Sequence, residues 1–484
     1  MKEHISILEK YPRYEAVIGM EVHIQLNTKT KLFCSTSNEQ SDKPNSNICA
    51  ICTGQPGVLP VLNNEVVLAA IKAGLATSCA IQSRSRFARK HYFYPDLPKN
   101  YQITQNEEPI CLNGLLPIRL EDGSIKNIRI LRIHIEEDAG KNIHSSFEDT
   151  SFVDFNRAGT PLLEVVSHPD LSSAYETKEY LKHLRLIVQY LGISTGNMEE
   201  GSFRADTNIS LRKKGEPLGT RCELKNINSF KFIGDAIEYE IERQISLLEA
   251  GKKISQETRL WDSKNNVTRV MRSKEEAVDY RYLSDPDLPI IELDKEFIDA
   301  VKAQMPELPF DRVKRYLQEG LSEYEADILV QDIEVGNFYQ QARKLTTSKH
   351  LINWILRDLL GLIKHEKISL AECKITPEQL SKLITMLDKG VINNRAAQEI
   401  FAEMASSSKD PELIMNEKGL QQMGNTDELE SIIKEIIAQN PDKVAELKSG
   451  KDRLMGFFVG QAMQKTQGKG NPQLINEIIT KLIS

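Results

Sequence analysis

The chain has no apolar run approaching the ~18 residues of a membrane-spanning helix. Its first ten residues are broken by charge and followed by Pro12, so the apolar stretch of a secretory leader is missing and a cytoplasmic location is expected. Cysteine is sparse: seven residues, odd in number and scattered, make no disulfide framework, and reduced thiols are expected. A basic excess is also missing. With 62 Lys+Arg against 69 Asp+Glu the net charge is −7, which argues against wholesale coating of nucleic acid but leaves room for a local phosphate-gripping patch. No Gly-x-x-x-x-Gly-Lys-Ser/Thr loop, no Gly-x-Gly-x-x-Gly between strand and helix and no Gly-x-Ser-x-Gly elbow occurs. ATP, if handled, would need a less familiar site.

What is present is an ordinary globular composition, 40% hydrophobic and 27% charged over 484 residues, long enough for about three domains. Up to about residue 290 the sequence alternates and is rich in turn signals. Residues 17–26 place Glu21, His23 and Gln25 on one strand face and Val22, Ile24 and Leu26 on the other. Residues 128–135, 203–211 and 221–227 read similarly, the last two joined by a turn at 213–217. Ile233, Ile237, Ile241, Ile245 and Leu248 mark a helix that Gly251 stops. The fold class expected is α+β with a largely antiparallel sheet, followed by helices. One helix starts at the capping box of Thr376-Pro377-Glu378-Gln379. A linker or exposed turn is expected at 406–411, and another helix through Leu429, Ile433 and Ile436. The expected division is 1–292, 293–410 and 411–484.

Chemistry-bearing residues gather in the first part. Arg204, Asp206 and Asn208 alternate along one strand, and Glu223 and Lys225 along another; any one such strand taken alone reads best as a solvent face. Glu136-Glu137-Asp138 ends an apolar strand, and Glu164 sits inside Leu162-Leu163-Glu164-Val165-Val166. A carboxylate in such a run is paired, protonated or metal-bound, and a salt bridge to Arg157 competes evenly with a metal role. Carboxylates with a histidine suit Mg2+ or Mn2+. Cys34, Cys49 and Cys52 supply three thiols, one short of the usual structural zinc set. Lys448, Lys451, Arg453, Lys465 and Lys469 flank Gly456-x-x-x-Gly460, a spacing expected to admit a neighbouring helix or an RNA backbone, although a solvated lysine face is the default for such a run.

Longer strings carry a family resemblance. Residues 17–23 (VIGMEVH), 89–102 (RKHYFYPDLPKNYQ), 154–164 (DFNRAGTPLLE), 198–206 (MEEGSFRAD), 223–229 (ELKNINS), 279–282 (DYRY), 455–461 (MGFFVGQ) and 470–472 (GNP) resemble GatB, a component of the aspartyl/glutamyl-tRNA(Asn/Gln) amidotransferases. The resemblance implies a ligase built as a heterotrimer. An amidase component (GatA) releases ammonia from glutamine and a small component (GatC) braces the assembly. The GatB component uses ATP to phosphorylate the side chain of Glu-tRNA(Gln) or Asp-tRNA(Asn), and ammonia then displaces the phosphate. The resemblance further implies a cradle-like catalytic domain, a helical domain and a YqeY-like tail that binds tRNA. By the same resemblance Glu21, His23, Glu137 and Glu164 would hold Mg2+, Lys90, Lys99 and Lys225 would meet phosphate or carboxylate oxygens, and Asp206 and Glu223 would line the pocket or deprotonate ammonium. Some members carry a zinc knuckle of Cys-x-Cys and Cys-x-x-Cys. Here Thr36 replaces its second cysteine, which counts against zinc. A non-catalytic tRNA-binding scaffold in the same complex is the competing reading; it leaves the acidic and imidazole residues unexplained.

Overall fold

The computed structural model describes residues 7–144, 150–273, 280–422, 426–448, 453–466 and 470–483. Contacts divide the chain into two units, Met1–Arg312 and Val313–Ser484. The division lies beyond the expected boundary at 292/293, because the helix Lys295–Ala303 packs against Asn64–Ala76 and so belongs to the first unit.

The first unit is built on a nine-stranded sheet. In chain order its strands are β1 (Tyr14–Gln25), β2 (Ala80–Ile81), β3 (Cys111–Arg119), β4 (Ile125–Glu137), β5 (Pro161–Ser167), β6 (Phe203–Lys213), β7 (Cys222–Lys225), β8 (Glu257–Asp262) and β9 (Val267–Ser273). They lie in the order β9-β8-β7-β6-β1-β5-β4-β3-β2, antiparallel throughout except β7 beside β8. Strand alternation sorts the side chains into two faces. Ile18, Met20, Val22 and Ile24 of β1, Leu163 and Val165 of β5, and Ile209 of β6 are all buried on one of them. Helices α1 (Asn64–Ala76), α2 (Ala174–Tyr190) and α3 (Phe230–Glu249) belong to the same core through Ile71, Leu184 and Ile237. Each helix begins at a side-chain cap, Asn63, Ser173 and Ser229, which satisfies an amide the first turn would otherwise leave unpaired. Gly251, at φ +68°, follows the last turn of α3. The other face of the central strands is polar, and that side carries the small sheet of Ala88–His91, Tyr101–Thr104 and Leu283–Ser284.

Among the described residues the second unit has helices and no strand. The helix Pro377–Asp388 starts at the reciprocal capping box of Thr376 and Gln379. At 406–411 the helix Asn394–Ser407 ends on left-handed Ser408 (φ 59°), and Asp410 caps the next helix, Pro411–Lys418, making a tight turn. Four more helices, Thr426–Gln439, Pro441–Lys448, Arg453–Lys465 and Pro472–Ile483, enclose a core of Leu429, Ile433, Ile436, Phe458, Ala462, Ile475 and Ile479. Of the two partners expected at Gly456 and Gly460, no neighbouring helix comes close among the described residues. A Cβ at either position would meet nothing within 4 Å. Among the described residues no helix is long and apolar enough to cross a membrane.

Candidate active site

Pairing between the central strands fixes the site. His23 on β1 stands opposite Glu164 on β5, and Glu164 stands opposite His134 on β4. On the other flank of β1, Glu21 pairs with Asp206 and His23 with Arg204 of β6. The strand alternation thus lines up carboxylates and imidazoles across neighbouring strands on one face. His23 Nε2 lies 3.3 Å from Glu136 Oε1 and 3.6 Å from Glu164 Oε2. His134 Nε2 lies 3.1 Å from Glu164 Oε2 and 3.7 Å from Glu136 Oε2. His23, Glu136 and Glu164 each offer a ligand atom within 4.8 Å of the others.

The electrostatics follow from this packing. Burial disfavours charge on each of these groups, but hydrogen bonds and charge from the two imidazoles hold Glu136 well below the ordinary carboxylate range and Glu164 below it. For His23 burial pulls the other way, yet the Glu136 hydrogen bond and the two carboxylate charges raise it to about 9. Glu21 is pushed up, first by burial and then by the charge of Glu164; Asn208 Nδ2 donates to it at 2.9 Å. The two carboxylates are thus balanced by the two imidazoles, and a cation could take the place of an imidazole proton. One imidazole nitrogen with carboxylate oxygens is a donor set for a hard divalent ion.

Of the four residues expected around Mg2+, the structure brings His23 and Glu164 together and sets Glu21 on the same face, but not Glu137. Consecutive strand residues point to opposite faces, so Glu136 takes that place. Glu137 is instead ion-paired to Lys99 and accepts the Ile103 amide at 2.9 Å. Lys99 is therefore engaged away from the cluster, its ammonium also 5.5 Å from the centre of the Tyr101 ring. Lys225 Nζ lies 2.7 Å from Asp206 and 3.2 Å from Glu223, a partnership that raises it against the effect of burial. Glu223 also accepts from Thr258 at 2.9 Å. The salt bridge considered between Arg157 and Glu164 is replaced: Arg157 donates to the Ala139 and Gly140 carbonyls and lies 3.6 Å from Asp138.

A cavity of about 200 Å3 opens beside the cluster, lined by the acids Glu21, Glu136 and Glu164 and by His134, Lys90, Arg132 and Tyr282. Arg132 and His134 were not singled out from sequence, and Glu136 was noted only within the acidic run 136–138. The signal for them is the alternation of β4 itself, displaced by a bulge between β4 and β5.

Elsewhere in this unit, Cys34, Cys49 and Cys52 converge within 4.8 Å. Lys31, fully buried, donates to the Asn47 and Ala158 carbonyls at 2.8 and 2.7 Å and sits 3.7 Å from Cys52 Sγ. Hydrogen bonds from Cys34 and from the Cys49 amide, with the Lys31 charge, bring Cys52 down to about 5. Gly159 is held at φ +82° beside this loop, where a Cβ would lie 3.4 Å from that of Cys52. In the second unit, Lys465 pairs with Glu435 at 2.6 Å, Lys448 ends one helix and Arg453 begins the next; Lys451 and Lys469 lie outside the described residues.

Comparison with known proteins bears on what such a face does. A family model described as the GatB/GatE catalytic domain matches residues 16–299, and one described as the GatB domain matches residues 337–483. The chain is 51% identical over 474 residues to the GatB component of the aspartyl/glutamyl-tRNA(Asn/Gln) amidotransferase of Geotalea daltonii, a match covering 97% of this chain and 99% of that protein. Its counterpart in Thermodesulfovibrio yellowstonii is 49% identical over 474 residues, covering 97% and 99%. That of Carboxydothermus hydrogenoformans is 48% identical over 472 residues, covering 96% and 98%.

Proposed function

This chain belongs to the GatB family of the aspartyl/glutamyl-tRNA(Asn/Gln) amidotransferases, ligases that transamidate misacylated tRNA, and we propose that the polar face of its sheet performs the activating chemistry. ATP phosphorylates the side-chain carboxylate of Glu-tRNA(Gln) or Asp-tRNA(Asn), releasing ADP. Ammonia then attacks the acyl carbon, phosphate leaves, and the nitrogen loses a proton to give the amide. The observation that carries this reading is the His23, Glu136 and Glu164 cluster, whose two carboxylates also line a small polar cavity.

The residues fit Mg2+: Glu136 and Glu164 supply oxygens and His23 supplies Nε2 once its proton is displaced. Mg2+ bound there would offset the charge that accumulates on phosphoryl oxygens during transfer. His134 holds the Glu164 carboxylate from the strand behind, so this ligand is oriented before substrate arrives. Glu21, raised by burial and by Glu164, is more readily protonated than Glu136 or Glu164 and is suited to accept a proton. Asp206 and Glu223 already hold one ammonium group, that of Lys225, which suits them to line the pocket and hold an incoming ammonium until another base takes its proton.

Ammonia would come from an amidase component (GatA), with a small component (GatC) bracing the complex. Lys448, Arg453 and Lys465 would meet tRNA phosphates, and the tail 411–484 would act as a domain distinct from 293–410. Zinc at Cys34, Cys49 and Cys52 would need a fourth ligand in place of the cysteine that Thr36 replaces. Reconstitution tests the reading. The chain with its partners, ATP, Mg2+ and misacylated tRNA should form amide from glutamine, whereas the chain alone should do so only from high ammonium. Loss of tRNA binding with no loss of chemistry in Glu164→Gln would favour the scaffold role instead.

A further inference from the structure

The cavity beside the cluster is lined by groups of opposite charge. Arg132, His134 and Glu136 alternate along β4, so the guanidinium stands two positions from an imidazole and four from a buried acid on the same face. Arg132 Nη1 donates to the Asn106 carbonyl at 3.3 Å, but its Nε is buried and has no hydrogen-bond partner among the described residues. A buried donor without an acceptor is costly, and a guanidinium is the side chain best shaped for a carboxylate or phosphate. On the small sheet, Lys90 holds its ammonium 4.7 Å from the centre of the Tyr280 ring and 5.9 Å from that of Tyr92. Aromatic faces orient this charge without neutralising it, as a carboxylate would. The cavity, about 200 Å3, is too small for a whole nucleotide and large enough for a phosphoryl or carboxylate group.

We propose that Arg132 and Lys90 form the oxyanion-binding wall of this cavity, Arg132 supplying the unpartnered Nε–H and Lys90 a ring-held ammonium, for the carboxylate or phosphoryl oxygens of the reacting group. The proposal rests on the activation reading above and names the residues that would grip the anion in the cavity that Glu136 and Glu164 also line.

Arg132→Gln and Lys90→Met, made in the full amidotransferase complex, test it in two arms. In the first, equilibrium affinity for Glu-tRNA(Gln) is compared with that for Gln-tRNA(Gln), which carries the neutral amide. In the second, KM for ATP and inhibition by inorganic phosphate are measured. If the wall holds the carboxylate, the preference for Glu-tRNA(Gln) falls about tenfold while KM for ATP stays within about twofold; if it holds the phosphoryl group, KM for ATP rises about tenfold, phosphate inhibition weakens, and the tRNA preference is kept. Either pattern supports the proposal. Both variants at parent values in both arms would overturn it. Should Arg132→Gln fail to assemble, Arg132→Lys keeps the charge but loses the Nε–H, and its parental behaviour together with that of Lys90→Met is equally fatal. Glu164→Gln separates the two layers of the argument: if it too is fully active, the activation reading fails, whereas an inactive Glu164→Gln beside unchanged Arg132 and Lys90 variants removes only the oxyanion wall.

Discussion

Adjacent residues Glu136 and Glu137 should respond oppositely to the same conservative substitution. Glu136→Gln removes a carboxylate from the cluster with His23 and Glu164 but leaves the strand and its packing as they are. Its expected effect is on chemistry: removal of a metal ligand should lower transamidation by about 100-fold or more, with tRNA affinity within about twofold. Glu137→Gln keeps an acceptor for the Ile103 amide but leaves the Lys99 ammonium, 11% exposed, without its carboxylate. Breaking a buried pair by removing one partner costs about 3 kcal/mol, and at the usual unfolding entropy for a unit of this size the melting temperature should fall by roughly 5 °C. Activity of the folded fraction should be retained. Thermal melting and single-turnover amide formation on both variants, each with Mg2+ titrated, decide the matter. An inactive, fully stable Glu137→Gln beside an active Glu136→Gln would refute the face assignment of β4.

Three further outcomes follow from the same contacts. His183 is pushed below its ordinary value by burial, against the effect of its 2.6 Å hydrogen bond to the Pro117 carbonyl, so the unfolded chain takes up the proton more readily; stability is complete above about pH 6.5 and declines as pH falls through the lower folded value, and urea midpoints should show this slope in the parent but not in His183→Gln. Metal-free protein should show the ultraviolet absorbance of one thiolate at neutral pH that titrates away near pH 5, where Cys52 lies, and is missing in Cys52→Ser. Deleting 411–484 should raise KM for misacylated tRNA and flatten the salt dependence by about 0.7 to 0.9 per lost phosphate contact, with turnover at saturation falling far less; unchanged KM and slope would leave Lys448, Arg453 and Lys465 as a solvated face.

The α+β class and the polar face of β1 were legible because period-two alternation over residues 20–26 is uninterrupted. Helix starts at Thr376 and the stop at Gly251 were legible from local capping chemistry. The exchange of Glu137 for Glu136 was not, and β4 shows why. Ile128 and Ile130 are buried, Leu131 is 40% exposed, and Ile133 and Ile135 are buried again, so the core side changes parity within one strand. Pairing with β5 skips Leu131 at a register shift: Ser167 faces Ile130 and Val166 faces Arg132. A single unpaired residue turns every later side chain to the opposite face. Extrapolating from Ile128 and Ile130 puts Glu137 on the polar face; only the bulge gives that place to Glu136, and with it to Arg132 and His134. Long-range pairings such as Glu137 with Lys99, or Arg157 with Asp138, have no local signature at all.

The central claim is that His23, Glu136 and Glu164 hold the divalent ion on which amide formation depends. Anomalous scattering from crystals of the protein soaked in Mn2+ tests it most directly. The account predicts a peak about 2.0–2.3 Å from His23 Nε2 and from a carboxylate oxygen of both Glu136 and Glu164, lost in Glu164→Gln along with activity. A peak bound instead to Glu137, or an active enzyme with no ion at these three residues, would contradict it.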